Sequence, residues 1–165
     1  MIVKKIIFTI LALLMSSSSL LAKDSDDVVK IVYQCDFSDT KRIHLMLNTL
    51  NNAVEHYNEQ FIDFDINIVA SGACLQYFMK DFKDTNYEAM PYLTKGGPTG
   101  AGTSARIKNL QLTSPDNIAF YACGNTMKNN NVKPEQLESY VQATPAGIIK
   151  VIDFQREGYS YIKIH

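Results

Sequence analysis

The sequence predicts an α/β fold: a mainly parallel sheet of about five strands covered by helices on both faces. Three observations carry that prediction. Apolar, β-branched runs at Val28–Gln34, Phe64–Ala70 and Ile118–Ala122 read as strands. Stretches with helical spacing of apolar residues stand between and after them. Turn residues punctuate the joins, with no internal repeat and no low-complexity linker, so one domain is expected.

The first 22 residues are set apart from that domain. Lys4 and Lys5 precede an apolar run from Ile6 to Met15, and a serine stretch leads to Leu20-Leu21-Ala22. This is the pattern of a secretory signal peptide, too short for a membrane span of roughly 20 residues. The expectation is a signal peptide over 1–22, a domain over 23–165, and a mature protein in the periplasm or secreted, with no membrane attachment. Losing Lys4 and Lys5 moves the formal charge from −1 to −3. The longest basic cluster is Lys41-Arg42, so nucleic acid is not an expected partner.

Val28–Gln34 reads as the first strand, ending at Cys35. Ser38 or Asp39 caps a helix whose Ile43, Met46, Leu47, Leu50 and Val54 form one apolar face, running to about Tyr57. Phe64–Ala70 is the second strand, and Ser71-Gly72 turns it into a short helix through Leu75, Phe78 and Met79. Asp84–Gly102, rich in Gly and Pro, reads as a long loop, followed by a helix over Thr103–Leu112. Ser114-Pro115-Asp116 turns into the third strand, Ile118–Ala122. Pro134 starts a helix, Tyr140–Ala143 is a short strand, and Pro145 opens a helix carrying Ile148, Ile149 and Ile152 that Gly158 stops. Tyr159–Ile164 is the last strand.

Cys35, Cys74 and Cys123 each follow a strand, which places all three along the carboxyl edge of a parallel sheet, where ligands and chemistry collect. Cys123 is the strongest candidate. It ends the run Phe120-Tyr121-Ala122 and adjoins the turn Gly124-Asn125-Thr126 at the start of a helix. A helix N-terminus favours thiolate, the reactive form of cysteine. Gly124 allows close approach, the N–H groups of Gly124 to Thr126 line the sulfur, Asn125 caps the helix, and Lys128 adds positive charge. Against this stands the reading of a buried strand-end cysteine serving as a small hydrophobe.

Cys35 and Cys74 are candidates for a resolving thiol that forms a disulfide with Cys123, beside the plainer reading of simple burial. The three cysteines are too sparse for a disulfide framework and include no CxxC pair. Three thiolates, joined by His44, would suit a soft ion such as copper(I), but without a close ligand pair no metal is expected. His44 falls beside the apolar stripe and reads as a surface or interface histidine, and His165 as solvated.

Two motif readings are rejected. In Gly97-Pro98-Thr99-Gly100-Ala101-Gly102-Thr103-Ser104, Thr103 occupies the lysine position of a phosphate loop, so nucleotide is not expected. That loop is instead read as a cover over the cysteine edge or an oligomer contact. The acids Asp24, Asp26, Asp27, Asp36 and Asp39 lack calcium-loop spacing and read as a solvated face and caps.

At Cys123 the chain resembles a known family. Phe120-Tyr121-Ala122-Cys123-Gly124-Asn125-Thr126-Met127 and Pro134-Glu135-Gln136-Leu137 are similar to motifs of the DsrE/DsrF-like sulfur-relay family. So are Ala143-Thr144-Pro145-Ala146-Gly147 and the ending Gln155-Arg156-Glu157-Gly158-Tyr159-Ser160-Tyr161-Ile162-Lys163. The resemblance runs from about Val28 to Lys163 and is most specific after Ile118. It implies a three-layer α/β/α fold, homo-trimers or hexamers, and sulfane sulfur held as a persulfide on Cys123. A sulfurtransferase or sulfur carrier of this kind needs no cofactor. Its partners are a sulfur donor and an acceptor thiol, on proteins or small molecules. The chain departs from the family in a longer loop around Lys95–Gly102 and in Cys35 and Cys74, which match no family motif. The alternative function is a non-catalytic oligomeric protein of the periplasm that binds a small ligand or a metal at the same edge.

Overall fold

A computed structural model describes residues 28–89 and 100–165. The signal-peptide reading, Asp24, Asp26 and Asp27, and the Gly-rich segment up to Thr99 lie outside the described residues. Five strands form one sheet in the order β4-β3-β2-β1-β5, and every pairing is parallel. They are β1 (Val29–Cys35), β2 (Phe64–Ala70), β3 (Ile118–Cys123), β4 (Val141–Thr144) and β5 (Ser160–Lys163).

Helices α1 (Thr40–Glu59) and α2 (Gly100–Thr113) follow β1 and β2, and α3 (Gly124–Asn129) follows β3 directly. Helix α4 (Gly147–Arg156) carries the chain from β4 on one edge back to β5 on the other. Right-handed crossovers dictate the layers. The steps from β1 through β4 advance in one direction and leave their helices on one face. The return through α4 reverses direction and takes the opposite face.

Strand alternation matches that division. On the first face Ile31, Tyr33, Ile66, Ile68, Ile118 and Phe120 pack with Ile43, Met46, Leu47 and Leu50 of α1 and Ile107 and Leu110 of α2. On the other, Val32 and Val69 meet Val151 and Phe154 of α4. The Lys150 ammonium lies 4.8 Å from the Tyr121 ring centroid, above the same surface. The expectation of a parallel sheet with helices on both faces holds.

Three local expectations need correction. Gly100-Ala101-Gly102 is not loop but the first turn of α2. Pro134 starts only a 3-10 turn, Pro134–Gln136, because Leu137 is drawn into an antiparallel bridge with Met79 and adopts extended backbone. The cysteines do supply a cross-link, since Cys35 and Cys74 form a disulfide across 39 residues of sequence. In α4, Val151 and Phe154 face the sheet while Ile148, Ile149 and Ile152 are exposed. Among the described residues no helix is long and apolar enough to cross a membrane.

Candidate functional site

Cys123 is the last residue of β3 and the N-cap of α3, a free thiol only 7% exposed. The neighbouring strand β4 feeds α4 on the opposite face, so the connections leaving β3 and β4 diverge to the two sides of the sheet. That divergence makes a crevice at the carboxyl ends of the strands, the usual ligand position in open α/β sheets. Cys123 stands in it, between the first turns of α3 and α4.

The Gly147 N–H, at the start of α4, donates to Cys123 Sγ at 3.2 Å. The Thr126 and Asn125 N–H groups and the Thr126 hydroxyl also favour the sulfur anion, though no capping hydrogen bond from the first turn of α3 reaches the sulfur. Burial by itself pushes a thiol up, because it penalises the anion. Here the donors of Gly147, Thr126 and Asn125 outweigh burial and hold the Cys123 thiol below its ordinary value of 9.0. Such an arrangement stabilises a sulfur anion in a nearly dry setting, which suits a nucleophilic thiolate.

Two glycines make this approach possible. A Cβ on Gly147 would lie 3.0 Å from Cys123 Cβ and 3.3 Å from Val69 Cγ1. A Cβ on Gly124 would lie 2.9 Å from the Thr144 carbonyl oxygen and 3.2 Å from that of Pro145. Gly124 therefore supplies space between the β3 and β4 turns, while the donors come from its neighbours. Asn125 contributes its backbone N–H and is not the helix cap, since Cys123 itself occupies that position. Lys128 lies exposed in the last turn of α3, and the lowering of Cys123 comes from hydrogen bonds, not from its charge.

The other two cysteines are placed differently. Register aligns Cys35 with Ala70 and Ala70 with Ala122, so these three share the α1 face. Cys123, one residue beyond Ala122, points to the opposite face, toward Gly147 and Val69. Cys35 and Cys74 are bonded to each other and fully buried in the core under α1. Neither is a free thiol beside Cys123, and the trio of thiolates considered for a soft metal does not assemble. His44 sits between helices, accepting at Nδ1 from Arg106 at 2.8 Å and paired through Nε2 with Thr103 at 3.1 Å.

Two residues escaped the reading of the sequence. Gly147 stands 24 residues from the cysteine it serves and was visible only as part of a helix-start motif. Tyr87 is 2% exposed, and an anion on Cys123 raises its phenol, which burial has already pushed up, to about 12. No periodicity or spacing marks Tyr87, whose position depends on the chain crossing back over the sheet edge.

The model of the DsrE/DsrF-like family matches residues 28–164. No curated protein matches the chain. Among solved structures, MTH1491 from Methanobacterium thermoautotrophicum, described as a protein of unknown function, is similar with a TM-score of 0.60. The two share 19% identity over 82% of this chain and 98% of that one. At that identity the likeness speaks for the fold alone.

Proposed function

The chain belongs to the DsrE/DsrF-like family, generally one of sulfur relay, and from that premise we propose that it carries sulfane sulfur as a persulfide on Cys123. The observation that carries the proposal is the Gly147 N–H donating at 3.2 Å to a nearly buried thiol, which this bond and the first turn of α3 hold below its ordinary range. The Cys123 thiolate attacks the outer sulfur of a polysulfide or thiosulfate. The donor's sulfur–sulfur bond breaks, and its electron pair leaves with the shortened polysulfide or sulfite. The new persulfide anion occupies the same field of donors. An acceptor thiolate then takes the terminal sulfur and returns Cys123 as thiolate, with no net change of oxidation state.

Export to an oxidising compartment belongs to the same proposal. It is supported by the apolar N-terminal run and by the Cys35–Cys74 disulfide, a bond such compartments maintain. A homo-oligomer is proposed as well, supported by Ile148, Ile149 and Ile152, which are 58%, 53% and 43% exposed on one helix.

The test is the intact mass of the mature protein after incubation with polysulfide, read with and without reductant. A reducible gain of about 32 Da per sulfur, mapped to Cys123 and absent from Cys123→Ser, is expected. A Cys123→Ser variant that still gained sulfur would move the chemistry elsewhere. An inert wild-type thiol would leave ligand binding as the better reading.

A further inference from the structure

Helices α1 and α2 both start at the carboxyl edge of the sheet and run back along the same face. A polar clasp joins their starts, with His44 of α1 at its centre. Arg106 of α2 donates through Nη1 to His44 Nδ1 at 2.8 Å and through Nη2 to Asn48 Oδ1 at 2.7 Å. His44 Nε2 lies 3.1 Å from Oγ1 of Thr103, a residue fully buried. A guanidinium has only protons to give, so Nδ1 must accept. The ring is therefore neutral, and its one proton is on Nε2, directed at Thr103.

The surroundings offer nothing to balance a second proton. Helix α2 contains no acidic residue, and the first acid of α1, Glu55, stands about three turns beyond His44. In the loop before α1, Asp36 pairs with Lys163 and Asp39 accepts from the Arg42 N–H. The other charged neighbour, Lys41, is a cation lining the same surface cavity of about 520 Å³ as His44 and Asn48. Burial, and after it the Arg106 charge, hold the ring below its ordinary value of 6.5.

Apart from its apolar anchors Ile107 and Leu110, little fastens the start of α2. Two glycines, Gly100 and Gly102, each disfavour a helix by about 1 kcal/mol, and the first turn carries no acid to meet the helix dipole. A proton on Nδ1 would take away the acceptor of Arg106 and set two cations face to face. The guanidinium withdraws, and its bond to Asn48 goes with it. We infer that His44 is a proton-operated clasp: neutral, it fastens the first turns of α2 to α1, and protonated at Nδ1 it lets them go. The clasp stands independently of the persulfide reading.

The test follows the His44 ring and the α2 amides of the folded protein together as pH is lowered from about 8 to about 5. Ring nitrogen spectra, with His44 assigned through its own backbone, are expected to show the Nε2–H tautomer at neutral pH and a midpoint below 6.5. Hydrogen exchange, corrected for its intrinsic pH dependence, is read at the Ser104 to Ile107 amides, which bond back to the first turn. It is expected to quicken about tenfold across that same midpoint, as two hydrogen bonds are lost, while β2 and β3 stay protected. In Arg106→Met the His44 midpoint should rise toward 6.5, with these amides exchanging fast at every pH. In His44→Gln the pH step should vanish. An Nδ1–H tautomer, a wild-type midpoint at or above 6.5, α2 protection indifferent to the His44 titration, or a step that persists in His44→Gln overturns the inference. An unmoved midpoint in Arg106→Met overturns the part assigned to Arg106. The wild-type spectra and exchange decide the matter even where a variant fails to fold.

Discussion

At Cys123 burial and hydrogen bonding pull the thiol in opposite directions, and the polar groups around the sulfur, led by the Gly147 N–H, win. A hydrogen bond to a charged group contributes roughly 1.5–3 kcal/mol, and each unit of pKa corresponds to about 1.4 kcal/mol. One well-placed donor therefore changes the thiolate fraction several-fold near neutral pH. Gly147 is the donor most easily displaced. Gly147→Ala puts a methyl 3.0 Å from Cys123 Cβ and 3.3 Å from Val69, and α4 must move outward to make room. The expected cost is about 1–3 kcal/mol of stability, with melting lowered by roughly 3 °C per kcal/mol. The Cys123 alkylation midpoint should rise in the same variant. A variant that melts and titrates like wild type would show that the close approach of α4 is unimportant. The lowered thiol also has a signature in linkage. Because Cys123 ionises more readily folded than unfolded, its contribution is present above the unfolded value near 9 and is lost as pH falls through the folded value. The stability difference between wild type and Cys123→Ser should therefore grow as pH rises toward 9, which denaturation at a series of pH values would measure.

Among the elements, those built on local pattern were legible in the sequence. The run Phe64–Ala70 has the same bounds in both readings, and Asp39 is the cap of α1, accepting from the Arg42 N–H at 2.9 Å. Elements decided by distant partners were not. Pro134-Glu135-Gln136-Leu137 carries a sound helix start, yet Leu137 is bridged to Met79 and the Lys80 N–H donates to the Gln136 carbonyl, so the turn goes no further. Gly100-Ala101-Gly102 has poor helix propensity, and its place in α2 reflects the packing of Ile107 and Leu110 behind it. For the site, the β3–α3 junction and Cys123 were readable because strand, cysteine and turn adjoin in sequence. Gly147 and Tyr87 were not, since only the meeting of separate crossovers brings them in. The β3–β4 junction also yields a prediction. Gly124→Ala sets a methyl 2.9 Å from the Thr144 carbonyl, a backbone atom with little freedom to yield. It should destabilise by about 1–3 kcal/mol, and a melting curve superimposable on wild type would contradict that. Removing the disulfide as Cys35→Ala with Cys74→Ala frees a 39-residue separation and should cost about 2–4 kcal/mol, read by denaturant titration. No loss would mean the α1-side core holds this turn unaided.

For the molecule as a whole, a single sheet edge serves two ends. On the α1 face it closes the core with a disulfide, and on the α4 face it presents a thiol to the crevice between β3 and β4. The tyrosines report how tightly this body holds together. Burial raises Tyr33, Tyr87, Tyr121 and Tyr159, with Tyr87 pushed to about 12. A phenol whose folded value is raised contributes stability that is full below the unfolded value near 10 and is lost as pH climbs past it. Ultraviolet titration should accordingly show these four phenols ionising late, above the unfolded value near 10. A single smooth transition near pH 10 in a still-folded protein would argue against such burial. The account's central claim is that this fold converts a nearly buried cysteine into a thiolate able to hold sulfur. The rate of Cys123 alkylation in the folded wild-type protein, followed across pH, tests it most directly. The account predicts a midpoint below the ordinary thiol value of 9. A midpoint at or above that value, or a thiol that reacts only once the protein unfolds, would contradict it.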